Sequence, residues 1–207
     1  MNAGISRRVF LAGPLGLLLG GCASAPAFDA DVVNARIVSV VAWGGTAPEP
    51  GLAAAARRHV PDRITLHHGG EAFPRSRDPR EYLRRLQSWS RGDRKWIDIP
   101  YHYLIDLDGT IYAGRDLSFA GDTNTEYDPA GHALVVVLGN YEEIEPTPVQ
   151  LTAVADVMAL LARRFGIDPA RIAAHKDFAK TLCPGKNLYP YVSEGHFRDE
   201  VRKRLGG

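Results

Sequence analysis

The sequence is short of cysteine and has almost no excess of charge of either sign. Its 207 residues include two cysteines, and 25 basic residues are balanced by 24 acidic ones. Nothing in this balance favours binding to nucleic acid or to an anionic surface, so no nucleic-acid partner is expected. The apolar run within residues 1–21 is too short, and too rich in glycine and proline, to span a membrane.

Residues 1–21 have the pattern of an export signal. Arg7 and Arg8 form a basic start, an apolar run follows, and small residues lead to Cys22. The stretch SRRVFL resembles a twin-arginine signal, and LGGC resembles a bacterial lipobox, in which the cysteine is acylated and becomes the new N-terminus. We therefore expect an exported protein anchored to the membrane by lipid on Cys22, with residues 22–35 as a tether. The alternative is an ordinary secretory peptide with an incidental cysteine.

The two cysteines and the residue after Cys22 support further predictions about sorting and disulfide formation. Ala23 follows Cys22, and by the sorting rule for Gram-negative lipoproteins the absence of aspartate there predicts the periplasmic face of the outer membrane, if the host is Gram-negative. Once Cys22 carries lipid, Cys183 is the remaining thiol, and no internal disulfide can form. An unpaired thiol in an exported protein needs a reason of its own.

Alternating strand and helix patterns predict an α/β domain over residues 36–207. Strands are predicted at 64–68, at 99–107 and 110–112 around an Asp-Gly turn, at 133–138 and at 171–174. Helices are predicted to begin at the capping sequences DPRE (78–81) and TPVQ (147–150), and a polar amphipathic helix is expected at the C-terminus. The second of these helices should stop at Gly166. This order predicts one domain with a central mixed β-sheet flanked by helices.

Three side chains have the chemistry of zinc ligands. His67 ends a predicted strand, while His175 and Cys183 lie eight residues apart in HKDFAKTLCPG, a span that a loop can fold toward one point. Two imidazoles and a thiolate suit Zn²⁺, and three protein ligands leave a fourth position open, as in catalytic sites. A histidine at a strand end is also commonly a satisfied polar residue, and a lone cysteine a small apolar core group. Composition and spacing leave both interpretations open.

The chain from about residue 37 to residue 191 resembles the N-acetylmuramoyl-L-alanine amidase family, which includes peptidoglycan recognition proteins and phage amidase lysozymes. The matching segments occur in the family's order: VVAWGG (40–45), LHHG (66–69), PYHYLI (100–105), DGT (108–110), AGRD (113–116), VVVLGN (135–140) and HKDFAKTLCPG (175–185). This resemblance implies the family's fold, with Zn²⁺ bound by His67, His175 and Cys183.

The resemblance also implies roles for residues near the metal. Tyr101 aligns with the family's catalytic tyrosine, whose phenol would hydrogen-bond the reacting water or the developing oxyanion; its alternative role is one ring of a strand face shared with Tyr103. Thr181 stands where phage amidases have lysine, and its hydroxyl can donate to an oxyanion but cannot supply positive charge. Asp177 is expected either to orient a ligand histidine or to cap a turn.

Other polar residues are candidates for contact with substrate. Those in the loop after the hairpin are Arg115, Asp122, Asn124 and Tyr127. His68 should point to the opposite strand face from His67 and still reach the groove. By the same alternation His102 faces away from Tyr101 and is predicted to be structural, and His132 is not taken as a ligand.

The leading hypothesis is a zinc-dependent enzyme that hydrolyses the amide between N-acetylmuramic acid and L-alanine in peptidoglycan or its fragments. Recognition proteins that have lost zinc typically lack one ligand, whereas this sequence has all three. Two alternatives stay open: a non-catalytic peptidoglycan-binding module, and a zinc peptidase that cuts within the stem peptide.

Overall fold

The computed structural model describes Met1 and residues 28–207, so the expected export signal and Cys22 lie outside the described residues. Five strands form one sheet: β1 (Arg63–His68), β2 (Tyr103–Ile105), β3 (Ile111–Ala113), β4 (His132–Val137) and β5 (Ile172–Ala174). Their order is β3-β2-β4-β1-β5. β2, β4, β1 and β5 are parallel, and β3 is antiparallel to β2. The predicted central mixed sheet of a single domain is confirmed.

The helices lie on both faces of this sheet, as predicted. They are α1 (Ala30–Arg36), α2 (Pro50–Ala55), α3 (Pro79–Gly92), α4 (Pro148–Phe165), α5 (Pro190–Ser193) and α6 (His196–Leu205), with short 3-10 helices at Pro169–Arg171 and His175–Asp177. α4 packs with Val135 and Val137 on one face, while Leu83 of α3 packs with Val136 on the other. Among the described residues, no helix combines the length and apolar character needed to cross a bilayer.

The first hairpin strand is shorter than the sequence predicts, and the second is shifted by one residue; one carboxylate organises the longer turn between them. Asp106 Oδ1 accepts hydrogen bonds from the backbone N–H groups of Asp108 (3.0 Å) and Thr110 (2.9 Å), and its Oδ2 accepts from the Tyr112 hydroxyl (2.8 Å). The turn therefore starts right after Ile105. The Asp-Gly signal located the reversal correctly but not its extent.

α4 begins and ends where the sequence predicts, because both of its ends carry caps. Thr147 Oγ1 accepts from the Gln150 N–H at 3.3 Å, and Gln150 Oε1 accepts from the Thr147 N–H at 3.0 Å, which completes the capping box. Gly166 ends the helix with φ 66°, a left-handed conformation that glycine adopts without steric cost.

α3 has half of its predicted capping box. Asp78 accepts from the Arg80 N–H at 2.9 Å, as a cap should. Glu81, the expected partner in the box, instead accepts from Arg85 one turn later at 2.6 Å. One face of α3 is buried through Tyr82 and Leu83, which fixes the helix beside the sheet.

The predicted tether of residues 22–35 is wrong in its described part, because the chain joins the domain through α1. Asp29 caps this helix by accepting from the Asp31 N–H at 2.9 Å. Val33 is 3% exposed within the main core, and Arg36 pairs with Asp156 of α4 at 2.8 Å. The small and polar composition of this segment concealed an apolar anchor, which consists of Val33 with Phe28 and Ala30 packed against the same core.

Val33→Asp should destabilise the domain by about 2 kcal/mol or more, because it removes a buried valine and places a carboxylate in the core. The matched control is Val32→Asp on the same helix, where the side chain is 54% exposed. Urea unfolding of the two variants tests this. Equal transition midpoints would show that α1 is not part of the folded core.

Candidate metal centre

The pairing of β1 with β5 brings the two candidate histidine ligands together. Leu66 and Ala174 are partners in this parallel register. His67 is the next residue of β1, and His175 is the next residue after β5, where it begins a 3-10 helix. Because carboxyl ends of parallel strands meet at one edge of a sheet, both imidazoles leave that edge side by side, with ring centroids 4.5 Å apart.

Cys183 completes the cluster from the following loop. One candidate donor atom of each of His67, His175 and Cys183 lies within 4.8 Å of the other two. His67 Nδ1 is 3.7 Å from Cys183 Sγ, and Sγ accepts a hydrogen bond from the His68 N–H at 3.3 Å. The structure thus brings together all three predicted ligands. Two ring nitrogens and one sulfur, all buried, are a donor set that fits Zn²⁺.

Burial sets the protonation of these groups. It lowers the pKa of His67 well below its ordinary value and that of His175 to about 4, so both imidazoles are neutral at physiological pH. Burial also raises the pKa of the Cys183 thiol to about 12. Neutral imidazoles are the form that binds a metal, whereas the thiol must release its proton on binding.

Tyr101 lies beside the ligand cluster. Its ring centroid is 5.3 Å from that of His67, and burial raises the pKa of its phenol, which therefore stays protonated. Tyr101 precedes β2 and packs with the α3-side cluster, whereas Tyr103 packs with the α4-side cluster. The alternative role, a strand face shared with Tyr103, is therefore wrong.

Thr181 lies in the loop that carries Cys183. Its Oγ1 accepts from the Cys183 N–H at 3.2 Å.

Asp177 caps a turn and does not orient a ligand. Its Oδ2 accepts from the Ala174 N–H at 2.8 Å, and its Oδ1 accepts from the Tyr189 hydroxyl at 2.8 Å. Of the two roles that the sequence left open, capping is confirmed. The ligand-orienting role is wrong, because the carboxylate binds Ala174 and Tyr189 and is not hydrogen-bonded to His67 or His175.

The side chains that contact the ligand histidines come instead from the loop after β3. Thr125 Oγ1 lies 2.7 Å from His175 Nε2, and the Tyr127 hydroxyl lies 3.4 Å from His67 Nε2. Sequence reasoning missed Thr125 and gave Tyr127 a role in the groove. An irregular loop carries no periodicity from which the direction of its side chains could be read.

A cleft of about 540 Å³ opens beside the cluster, a volume typical of ligand sites. His67, His175, Cys183, Tyr101 and Thr181 all line it. Other parts of its wall come from α3 and its flanks, and from the loop after β3; they include Glu71, Arg77, Tyr82, Arg85, Trp89, Trp96, Asp122, Thr123, Asn124 and Thr125. Of the predicted substrate contacts, His68, Asp122 and Asn124 lie in this lining.

The prediction that Arg115 contacts substrate is wrong. This residue is 4% exposed, and its guanidinium donates to the backbone carbonyls of Asp98 (2.8 Å), Ile99 (2.9 Å) and Ala120 (2.5 Å). It also pairs with the carboxylate of Asp122. These acceptors leave few N–H groups of the guanidinium free to bind a ligand. The same hydrogen bonds join the segment before Tyr101 to the loop after β3.

His102 has a structural role, as predicted, and His132, which the sequence did not indicate as a ligand, is also bound to the protein. His102 Nε2 lies 3.0 Å from the Phe119 carbonyl oxygen, and its Nδ1 accepts from the Leu134 N–H at 2.8 Å. His132 Nδ1 is 2.8 Å from Thr65 Oγ1. Both imidazoles are thus engaged with the protein and outside the ligand set.

Comparison with known proteins identifies relatives of two kinds. The chain is 26% identical over 185 residues to peptidoglycan-recognition protein SD of Drosophila simulans, covering 87% of this chain and 94% of that protein. It is 28% identical over 125 residues to the human N-acetylmuramoyl-L-alanine amidase, covering 59% of this chain and 22% of that protein.

Solved structures show the same two kinds. The crystal structure of Drosophila peptidoglycan recognition protein SD has a TM-score of 0.67 at 25% identity, covering 76% of this chain and 93% of that one. The N-acetylmuramoyl-L-alanine amidase LysC of Clostridium intestinale has a TM-score of 0.60 at 25% identity, covering 83% of this chain and 97% of that one.

The family profile that matches this sequence is Amidase_2, described as N-acetylmuramoyl-L-alanine amidase, and it matches residues 57–186. The matched segment is more than half of the chain and contains His67, His175 and Cys183. This chain therefore belongs to the N-acetylmuramoyl-L-alanine amidase family.

Proposed function

We propose that this protein is a zinc-dependent amidase that hydrolyses the bond between N-acetylmuramic acid and L-alanine in peptidoglycan or its fragments. Relatives of the chain include amidases and recognition proteins, so family membership alone does not distinguish cutting from binding. The observation that carries the proposal is the complete donor set of His67, His175 and Cys183 in the lining of a cleft. A protein that only bound peptidoglycan would have no need of all three.

The donor set matches a catalytic site better than a structural one. Structural zinc sites generally have four protein ligands, whereas catalytic sites have three. Zn²⁺ bound here would polarise the scissile carbonyl and lower the pKa of a water molecule. The chain's own contribution is to hold His67 and His175 neutral by burial and to offer Cys183 as the ligand that loses a proton.

Tyr101 supplies a hydrogen-bond donor beside His67. Its phenol stays protonated because burial raises its pKa, so it can donate to the oxyanion that develops on the carbonyl oxygen. A donor already held in place needs no reorganisation during the reaction. Thr181 lines the same cleft with a neutral hydroxyl, from which we expect a smaller contribution because it carries no charge.

The cleft suits a ligand that is part sugar and part peptide. The rings of Trp89 and Trp96 offer apolar surface for the faces of sugar rings, and Asn124 offers hydrogen bonds. A human relative with this fold, of TM-score 0.65 and 25% identity, was solved in complex with glycosamyl muramyl pentapeptide. This supports peptidoglycan or a muropeptide as the substrate.

We also propose that the protein is exported and anchored by lipid on Cys22, at the periplasmic face of the outer membrane if the host is Gram-negative. The support is the basic pair Arg7 and Arg8, the apolar run that follows, and the lipobox pattern LGGC. This location would place the enzyme in the compartment that contains its substrate.

Protein lacking residues 1–22 should bind one zinc per chain and release stem peptides from purified peptidoglycan, and a chelator should abolish release. His67→Ala should reduce release to background, while His196→Ala, which alters an exposed histidine of α6, should have no effect. Mass spectrometry of products and metal gives the readout. An L-alanine amino terminus on the released peptide identifies an amidase, and an internal terminus identifies a peptidase.

The same experiment distinguishes the binding module. Protein that retains peptidoglycan but carries no stoichiometric zinc, and releases no peptide, would be a binder. Full activity of His67→Ala at saturating zinc would contradict the proposed mechanism outright.

Tyr101→Phe should lower kcat by about 100-fold with zinc content unchanged, because it removes one oxyanion donor and no metal ligand. Tyr103→Phe is the matched control, since that tyrosine packs in the α4-side core. Hydrolysis of a defined muropeptide and metal analysis of each variant test this. Equal rates for the two variants would remove Tyr101 from the reaction.

Cys22→Ala should move the protein from the membrane pellet to the soluble fraction, because an acyl chain contributes about 0.8 kcal/mol for each buried methylene. Ala23→Asp keeps the acceptor cysteine and, by the sorting rule, should move the protein from the outer to the inner membrane. Fractionation, with mass analysis of the N-terminal peptide, measures both. An unmodified Cys22 in the mature protein would contradict the anchor.

A further inference from the structure

Two threonines in the loop after β3 form a short hydrogen-bonded chain that ends on a ligand histidine. Thr125 Oγ1 lies 2.7 Å from His175 Nε2 and 2.8 Å from Thr123 Oγ1. Thr123 Oγ1 also accepts from the Thr125 N–H at 3.1 Å. Neither threonine belongs to the candidate ligand set, and both line the cleft.

The order of donors along this chain decides which ring nitrogen of His175 carries the proton. In one order, His175 Nε2–H donates to Thr125 Oγ1, and the Thr125 hydroxyl donates to Thr123. The lone pair of Nδ1 is then free. In the opposite order, Thr125 donates to Nε2, and the proton must lie on Nδ1, where it would block a metal.

The first order fits the candidate ligand set. Thr125 Oγ1 already occupies Nε2, so Nδ1 is the ring nitrogen left for a metal, and it has a lone pair only when the proton is on Nε2. Thr123 Oγ1, which accepts the Thr125 N–H, has a second lone pair for the Thr125 hydroxyl. The ring plane of His175 is held as well, because the Tyr127 ring lies against it with centroids 5.1 Å apart. The hydrogen bond fixes the proton, and the aromatic contact fixes the ring.

We infer that Thr125, supported by Thr123, is a positioning residue that holds His175 in the tautomer that leaves Nδ1 unprotonated and able to bind a metal. The inference rests on the proposed zinc site and adds to it a source of metal affinity outside the ligands. Outer hydrogen-bond partners of metal-binding histidines typically change metal affinity by about 10- to 100-fold when they are removed.

The chain contains a matched control for this contact. Thr65 Oγ1 lies 2.8 Å from His132 Nδ1, so it is also a threonine hydroxyl paired with an imidazole. This pair is buried in the same sheet, but His132 is not in the ligand set. Thr65→Val therefore removes an equivalent hydrogen bond without touching a ligand.

The first test uses the full chain in detergent. Competition with a chelator of known affinity gives the Kd of each variant for zinc. Thr125→Val should weaken binding by about 10- to 100-fold, and Thr123→Val by less in the same direction. Thr125→Ser should restore binding close to that of the wild type. Thr65→Val should lower the Tm and leave the Kd unchanged.

The second test needs no variant. Long-range nitrogen–proton NMR correlations of zinc-free wild-type protein should place the His175 proton on Nε2, and a proton on Nδ1 would overturn the inference. Folded Thr125→Val that binds zinc as tightly as the wild type would also overturn it and leave the proposed function intact. Wild-type protein that binds no zinc would overturn both.

Discussion

The parallel pairing of β1 with β5 is the constraint on which the rest of the site depends. Because Leu66 lies opposite Ala174, the next residue on each chain is a histidine, and both rings leave the sheet at one level. A slip of one residue would turn one ring to the other face of the sheet. The register is held by burial: Ile64 and Leu66 are fully buried against the α4 side, so a slip would also expose the core. The packing that stabilises the core therefore also fixes the relative positions of the two candidate histidine ligands.

A second set of contacts positions the segments that carry Tyr101 and Thr125 beside the candidate ligands. Arg115 binds carbonyls of both Ile99 and Ala120, so one buried guanidinium joins the segment that leads to Tyr101 to the loop that leads to Thr125. Burial of this charge is offset by its hydrogen bonds and by Asp122. The tyrosine and the loop that touches the histidines therefore depend on one side chain that itself does not belong to the ligand set.

The sequence predicted those parts of the molecule whose signals are local. The Thr147 capping box, the glycine at 166 and the apolar run of β4 each define an element without reference to the rest of the chain, and each was placed within a residue or two. The ligands were predicted because family motifs carry them in order. Arg115 was misassigned, and Asp177 was left between two roles, because the direction of each side chain is set by tertiary packing and not by a local pattern. Thr125 was missed for the same reason, since its partner is distant in sequence.

α1 has a consequence for where the proposed lipid-anchored amidase could act. Since the chain joins the core at Val33 and its helix is capped by Asp29, roughly seven residues separate the cap from Cys22, and fully extended they span at most about 25 Å. A domain anchored at Cys22 would be confined to a thin layer above the bilayer, and its substrate would have to lie within that layer or diffuse into it. Under the proposed anchor, the buried valine would limit how far the domain can lie from the membrane.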